Sequence, residues 1–330
     1  MKKLKLSLIA LLILVTGLNA QESNTESVFT PSGKPSVKIF TNAHSTFIDG
    51  VNTSAFEVQR AYFGYKYKFS ENFSTKITLD VGDPGVGKLQ MTAYLKNAAL
   101  IYKKNNFTAN FGVIGLYGFK VQEKHWGYRY LYKSFQDEHK FGSSADLGAS
   151  FSYKFSDFIS ADAMILNGEG YKNLQSDNTY KGALGLTITP IKNLNIRAYY
   201  DLMSTDVAQS TIALFAGYKA DKFKVGAEYN IQSNNKMVED HDLTGISVYT
   251  TVNAGEKFKV FARLDNLDSN KLEGENVAWN ISKNGQTYIL GIEYKPTKGV
   301  KISPNYQGWS SSVEDSAFVS SIYLSFEINF

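Results

Sequence analysis

From Val37 to Phe330 the sequence keeps returning to one unit, about ten residues of alternating apolar and polar side chains closed by a polar connector. Alternation with a period of two describes an extended chain, whose successive side chains point to opposite faces. Leu194, Ile196, Ala198, Tyr200 and Leu202 share one face, while Asn195, Arg197, Tyr199 and Asp201 share the other. Phe73, Thr75, Ile77, Leu79 and Val81 stand against Ser74, Lys76, Thr78 and Asp80 in the same way. The stretches 223–230 and 258–265 repeat the pattern. Such a chain is all-β.

The connectors alternate in length. Seven are short and polar, at 70–72, 103–106, 154–157, 190–193, 220–222, 254–257 and 296–299. Eight longer ones are expected near 48–54, 82–88, 117–142, 168–179, 203–210, 232–242, 267–284 and 308–315. Together they join sixteen strands. An even count with short turns at one end and long loops at the other predicts a transmembrane antiparallel up-and-down β-barrel, turns periplasmic and loops extracellular. A sandwich of this length needs two or three domains, and no Pro- or Ser-rich boundary divides the chain. A propeller needs a blade-length repeat, which the sequence lacks.

Residues 1–20, MKKLKLSLIALLILVTGLNA, read as a cleaved secretory signal peptide, since three lysines precede an apolar run too short for a helical span. Residues 21–36 are then a periplasmic N-terminal segment and 37–330 the outer-membrane barrel. The last strand, AFVSSIYLSFEINF, sets Phe318, Ile322, Leu324, Phe326, Ile328 and Phe330 on one face. A terminal Phe on an amphipathic last strand resembles the signal by which outer-membrane barrels are recognised for assembly.

A composition of 43% hydrophobic and 20% charged residues, which looks ordinary for a globular protein, here arises from strands with one apolar and one polar face. Aromatic residues gather where strands meet the short turns, as at Tyr65, Tyr67, Phe69, Phe73, Phe151, Tyr153, Phe258 and Tyr294, and predict an interfacial girdle. The absence of Cys excludes disulfides, thiolate metal sites and a cysteine nucleophile. The net charge of +4 comes from well-mixed residues and gives no nucleic-acid signature.

Chemistry-bearing motifs are weak. The four histidines, His44, His125, His139 and His241, have no assignable nucleophile, so a hydrolase is disfavoured. His125 and His139 share a loop with Glu123, Asp137 and Glu138, but the spacing fits no metal motif. GDPGVGKL, at 82–89, lacks the spacing and following helix of a nucleotide loop. No enzyme activity, metal or cofactor is expected.

The inward faces are more informative. Strand-by-strand parity puts fourteen bases inside against eight acids, with the parity of 89–102 ambiguous. Basic rings in a narrow aqueous channel favour anions, because low-dielectric walls concentrate the field. Arg60, Lys66, Lys76, Arg197 and Arg263 on the wall are the expected pore-lining, anion-binding residues. Lys124 and Arg129 join them if the longest loop, 117–142, folds inward rather than capping the barrel.

The stretches AFEVQRAYFGYKYKFSENFSTKITLDVG (55–82), EKHWGYRYLYKSF (123–135), SSADLGASFSYKF (143–155), NGEGY and LTITPIKNLNI (within 167–196) resemble the phosphate-selective porin family, porin O and P type. The likeness implies a sixteen-stranded, trimeric channel for small anions. The chain departs from that pattern in having no dense lysine cluster within one strand or short loop. The expectation is a porin in the outer membrane of a Gram-negative bacterium, passing small hydrophilic solutes with a modest anion preference and contacting lipid and solute. The alternatives are a non-conducting adhesion or assembly barrel and, less favoured, an outer-membrane hydrolase.

Overall fold

The computed structural model describes residues 29–82 and 91–330. The leader expected at 1–20 and most of the connection at 82–88 lie outside these residues.

Sixteen antiparallel strands close into one barrel in which each strand pairs with its sequence neighbours and the last pairs with the first. The first quarter comprises β1 (Ser32–Ile48), β2 (Val51–Lys68), β3 (Phe73–Gly82) and β4 (Thr92–Lys104). Next come β5 (Phe107–Gly115), β6 (Ala145–Lys154), β7 (Ile159–Leu166) and β8 (Lys181–Ile188). They are followed by β9 (Leu194–Ser204), β10 (Ala208–Lys219), β11 (Phe223–Ser233) and β12 (Leu243–Asn253). β13 (Phe258–Ser269), β14 (Gly285–Thr297), β15 (Val300–Ser311) and β16 (Val319–Asn329) complete the wall. Two short helices, α1 (Lys120–Trp126) and α2 (Phe135–Glu138), lie in the connection between β5 and β6. Closure is sealed where the Val37 N–H donates to the Phe330 carbonyl at 2.8 Å and the Phe330 N–H donates back at 3.1 Å.

All seven short turns lie at one end. Two connections expected to be long are not. Asp49 and Gly50 alone join β1 to β2, with φ of 49° and 77°, the left-handed pair that a two-residue hairpin of this twist requires. Residues 205–207 alone join β9 to β10. Both strands of the first hairpin are correspondingly long, at 17 and 18 residues. β1 also begins at Ser32, inside the expected N-terminal segment, because Lys34, Pro35 and Ser36 pair with Lys66, Tyr65 and Gly64.

Bulges reset the parity of three strands. Phe40 faces Arg60 while Thr41 faces Val58, so Gln59 is the extra residue in β2. Thr78 faces Asn97 while Leu79 faces Leu95, so Lys96 is extra in β4, which explains the ambiguous alternation there. The third slip lies between Tyr294 and Thr297 and accommodates Pro296, which has no N–H for the ladder.

The outer surface is apolar. Leu184, Ile165, Leu290, Ile322 and Phe111 all project outward and exposed. A continuous belt of such side chains suits lipid rather than water. At the short-turn end the rings form the expected girdle, with Phe258 and Tyr294 stacked at 4.8 Å and Tyr153 and Phe155 edge to face at 4.9 Å. The barrel is thus of the outer-membrane type.

Candidate functional site: the lumen and its inward loop

The connection between β5 and β6 folds into the barrel. Its core contacts are aromatic: Trp126, Tyr128, Tyr130 and Leu131 are buried against Phe40 of β1, Phe215 of β10, Tyr249 of β12, Phe261 of β13 and Ile289 of β14. Farther along, Phe135 and Phe141 pack with Leu243 and Leu267. The wall makes room for them: a side chain at Gly245 would collide with the Phe135 ring. α1 ends at Gly127, whose φ of 76° is left-handed and whose N–H caps the Glu123 carbonyl at 2.9 Å.

Polar wall residues clamp the backbone of the same loop. Arg263 Nη1 donates to Lys133 O at 2.8 Å, Arg197 Nη2 to Tyr117 O at 3.1 Å and Lys224 Nζ to Trp126 O at 2.8 Å. Gln232 Nε2 donates to Phe141 O at 2.9 Å, and Tyr249 Oη to Gln122 O at 3.3 Å. The Arg263 guanidinium also lies over Trp126 at 5.0 Å and over Tyr132 at 5.3 Å, adding cation–π attraction in a desolvated setting.

These clamps involve two of the candidate residues. Arg197 and Arg263 point inward, as parity requires, but their side chains are 2% and 0% exposed beneath the loop. Arg197 is held bidentately by Asp162 at 2.7 and 2.9 Å, and Arg263 by Asp265 at 2.8 and 2.6 Å. Arg263 is closed off beneath the loop, whereas Arg197 lies at the edge of the recess beside α1. Both anchor the loop.

The other candidates are accessible in different degrees. Arg60 Nη1 lies 3.4 Å from Asp80 and bonds Tyr94 Oη; Lys96 Nζ lies 3.5 Å from the same Asp80. Arg129 of the loop lies 3.5 Å from Glu123 and 3.4 Å from Asp137. The Arg129 and Arg60 side chains remain about one-fifth exposed, at 22% and 19%, so these paired charges border the lumen. Burial opposes the charge on Arg129, yet Tyr62, Asp137 and Glu123 hold its pKa above the usual value. Burial pushes the Glu123 carboxyl up, against the pull of Arg129. Lys124 is exposed on α1, and Lys66 and Lys76 are exposed near the short-turn rim. Sequence parity missed one inward acid, Glu57, which accepts from Asn42 at 3.0 Å; the Gln59 bulge reverses the face on which it falls.

Lys124 belongs to a recess of about 600 Å³ between α1 and the short-turn ends of the wall. Lys120, Lys124, Lys219, Lys224 and Lys259 line it with His125, and its one lining acid is Asp162, already held by Arg197. Lys259 reaches Glu293 at 3.6 Å. Among the described residues the other four lysines make no ion pair. A second basic group follows from register, which sets Lys66 directly between Lys34 and Lys76 on three adjacent strands. No cluster of His, Cys, Asp and Glu able to hold a metal occurs among the described residues.

No protein-family model matches the chain, and no curated protein is similar to it in sequence. Solved structures do share its fold. OprB of Pseudomonas putida, 10% identical, aligns over 90% of this chain and 94% of its own with a TM-score of 0.69. The outer membrane channel DcaP of Acinetobacter baumannii, 11% identical, aligns over 94% and 100% with a TM-score of 0.67. OmpF of Salmonella typhi, solved with daunomycin, is 12% identical over 90% and 97% with a TM-score of 0.65. At these identities the likeness is one of fold, that of outer-membrane porins and channels.

Proposed function

We propose that this chain is an outer-membrane porin of a Gram-negative bacterium, a passive channel for small hydrophilic solutes with a modest preference for anions. The observation that carries the preference is the recess beside α1, where Lys120, Lys124, Lys219 and Lys224 have no acidic partner among the described residues. Beside the loop other charges cancel in pairs, as Arg60 with Asp80 and Arg129 with Glu123 and Asp137 do. Unpaired lysines in a water-filled passage with low-dielectric walls leave a net positive field, which raises local anion concentration. Inorganic phosphate is one anion such a field accepts. The similar OmpT of Vibrio cholerae has been solved in trimer form, and a homotrimer is part of this reading.

Reversal potentials in planar bilayers under a KCl gradient test it. The wild type is expected to favour chloride, and Lys120→Gln with Lys124→Gln should bring the permeability ratio toward unity. Cation selectivity in the wild type, or an unaltered ratio in the double variant, defeats the anion reading; absence of conductance defeats the channel.

A further inference from the structure

Behind the inward loop the wall carries a second polar constellation, unconnected with the recess. Glu228, Ser247 and Asp265 lie side by side on β11, β12 and β13, in direct register, and Asn230 is the next inward residue along β11. All are buried: Asn230 and Ser247 are 0% exposed and Glu228 is 2% exposed. Asp265 is satisfied by Arg263, with hydrogen bonds of 2.8 and 2.6 Å. Its neighbours are not. Both carboxylate oxygens of Glu228, the amide oxygen and nitrogen of Asn230 and the Ser247 hydroxyl have no hydrogen-bond partner in the protein.

Buried polar atoms without partners are costly, and an unpaired buried carboxylate costs most. Here four orphaned oxygens, two from Glu228 and one each from Asn230 and Ser247, come from adjacent strands. Glu228 and Ser247, in register, hold their Cβ atoms about 5 Å apart, and Asn230, facing Gly245, lies on the diagonal about 7–8 Å from Ser247, within reach of the same ion. Oxygen donors of this kind suit a hard cation. The charge selects its valence: Arg263 cancels Asp265, so Glu228 once ionised by a bound cation adds a single negative charge. A monovalent ion neutralises that charge, whereas a divalent one would bury a net positive charge. The spot is closed over by the loop, with Tyr249 bonded to Gln122 O at 3.3 Å and Phe135 seated on Gly245.

We infer that Glu228, Asn230 and Ser247 form a buried sodium site that helps fix the inward loop to the barrel wall. The ion binds only while the loop covers the wall, so it stabilises the docked form by mass action.

The test follows thermal unfolding of purified full-length protein in detergent, in NaCl and in N-methylglucamine chloride at equal ionic strength. Sodium should raise the midpoint by roughly 3–6 °C with a saturating dose dependence. In Glu228→Gln, which keeps the shape and removes the charge, the sodium increment should vanish. Equal midpoints for the wild type in the two salts overturn the proposal, even if the variant fails to fold. So does a wild-type stability that follows pH and ignores sodium, because Glu228 is then a neutral acid. Retention of the sodium increment in Glu228→Gln also overturns it.

Discussion

Arg263 and Asp265, two residues apart on the inner face of β13, form a paired fork of hydrogen bonds at 2.8 and 2.6 Å with both side chains at most 1% exposed. The pair joins the barrel to the loop inside it, since the remaining guanidinium nitrogen holds Lys133 O at 2.8 Å. Removing one partner strands a buried charge. Arg263→Gln should therefore cost about 3–5 kcal/mol, whereas Arg263→Met with Asp265→Leu should cost far less. Urea unfolding of the single and double variants in detergent distinguishes the two. Equal losses would mean that the pair is not what secures the loop.

Trp126 is the apolar counterpart of that clamp. Its ring is fully buried, edge to face with Tyr128 at 4.9 Å and Tyr249 at 5.2 Å. Trp126→Ala should remove about 3–5 kcal/mol of docking energy while leaving the strand ladder intact. The outcome expected is local: trypsin gains access at Lys124, Arg129 and Lys133, and the single-channel current becomes larger and noisier. A protease-resistant loop with an unchanged current would show that other contacts suffice.

Acid should loosen the same loop. Burial lowers the pKa of His139 below its ordinary 6.5, with Asp265 and Glu138 opposing and Arg263 and Lys133 assisting; burial lowers that of His125 as well. A histidine depressed in the folded state contributes stability that is present above 6.5 and lost as pH falls through the folded value. Glu123 has the opposite slope: its raised pKa gives stability that is full below 4.5 and lost as pH rises through the folded value. Current noise measured from pH 8 to pH 4 should thus rise on the acid side below about pH 6.5, the ordinary histidine value. His139→Gln should flatten that limb, and Glu123→Gln should leave it in place. An acid limb unaltered by His139→Gln would remove the histidine from the account.

The wall was legible because period two is a strong signal: the strand count, the seven short turns and the inward face of most strands follow from it. What escaped depends on information that alternation does not carry. A single extra residue at Gln59 or Lys96 inverts the face of everything beyond it without disturbing composition. Asp49–Gly50 is a hairpin signal by residue type, but Asn52, Thr53 and Ser54 close behind it read as the rest of a longer polar connection. Arg197 meets Asp162 across 35 residues, a pairing that only the register of three strands creates. The Arg263 and Asp265 pair was readable in principle, since positions i and i+2 share a face; its burial was not, because that comes from a loop more than a hundred residues earlier in the chain.

One feature of the rim ties stability to transport. Lys34, Lys66 and Lys76 occupy one register row across β1, β2 and β3, and none makes an ion pair among the described residues. Like charges directly opposite on neighbouring strands repel, so the row costs a few tenths of a kcal/mol per contact in dilute salt. Lys66 takes part in both contacts. Lys66→Gln should therefore raise the thermal midpoint in low salt, and the gain should fade as salt screens the row, the Debye length falling from about 30 Å at 0.01 M to about 10 Å at 0.1 M. The same variant should lower the chloride-to-potassium permeability ratio. Gain in stability with loss of selectivity is the signature of a charge row kept for the ions that pass it; a variant that is neither more stable in dilute salt nor less selective would leave the row without that role.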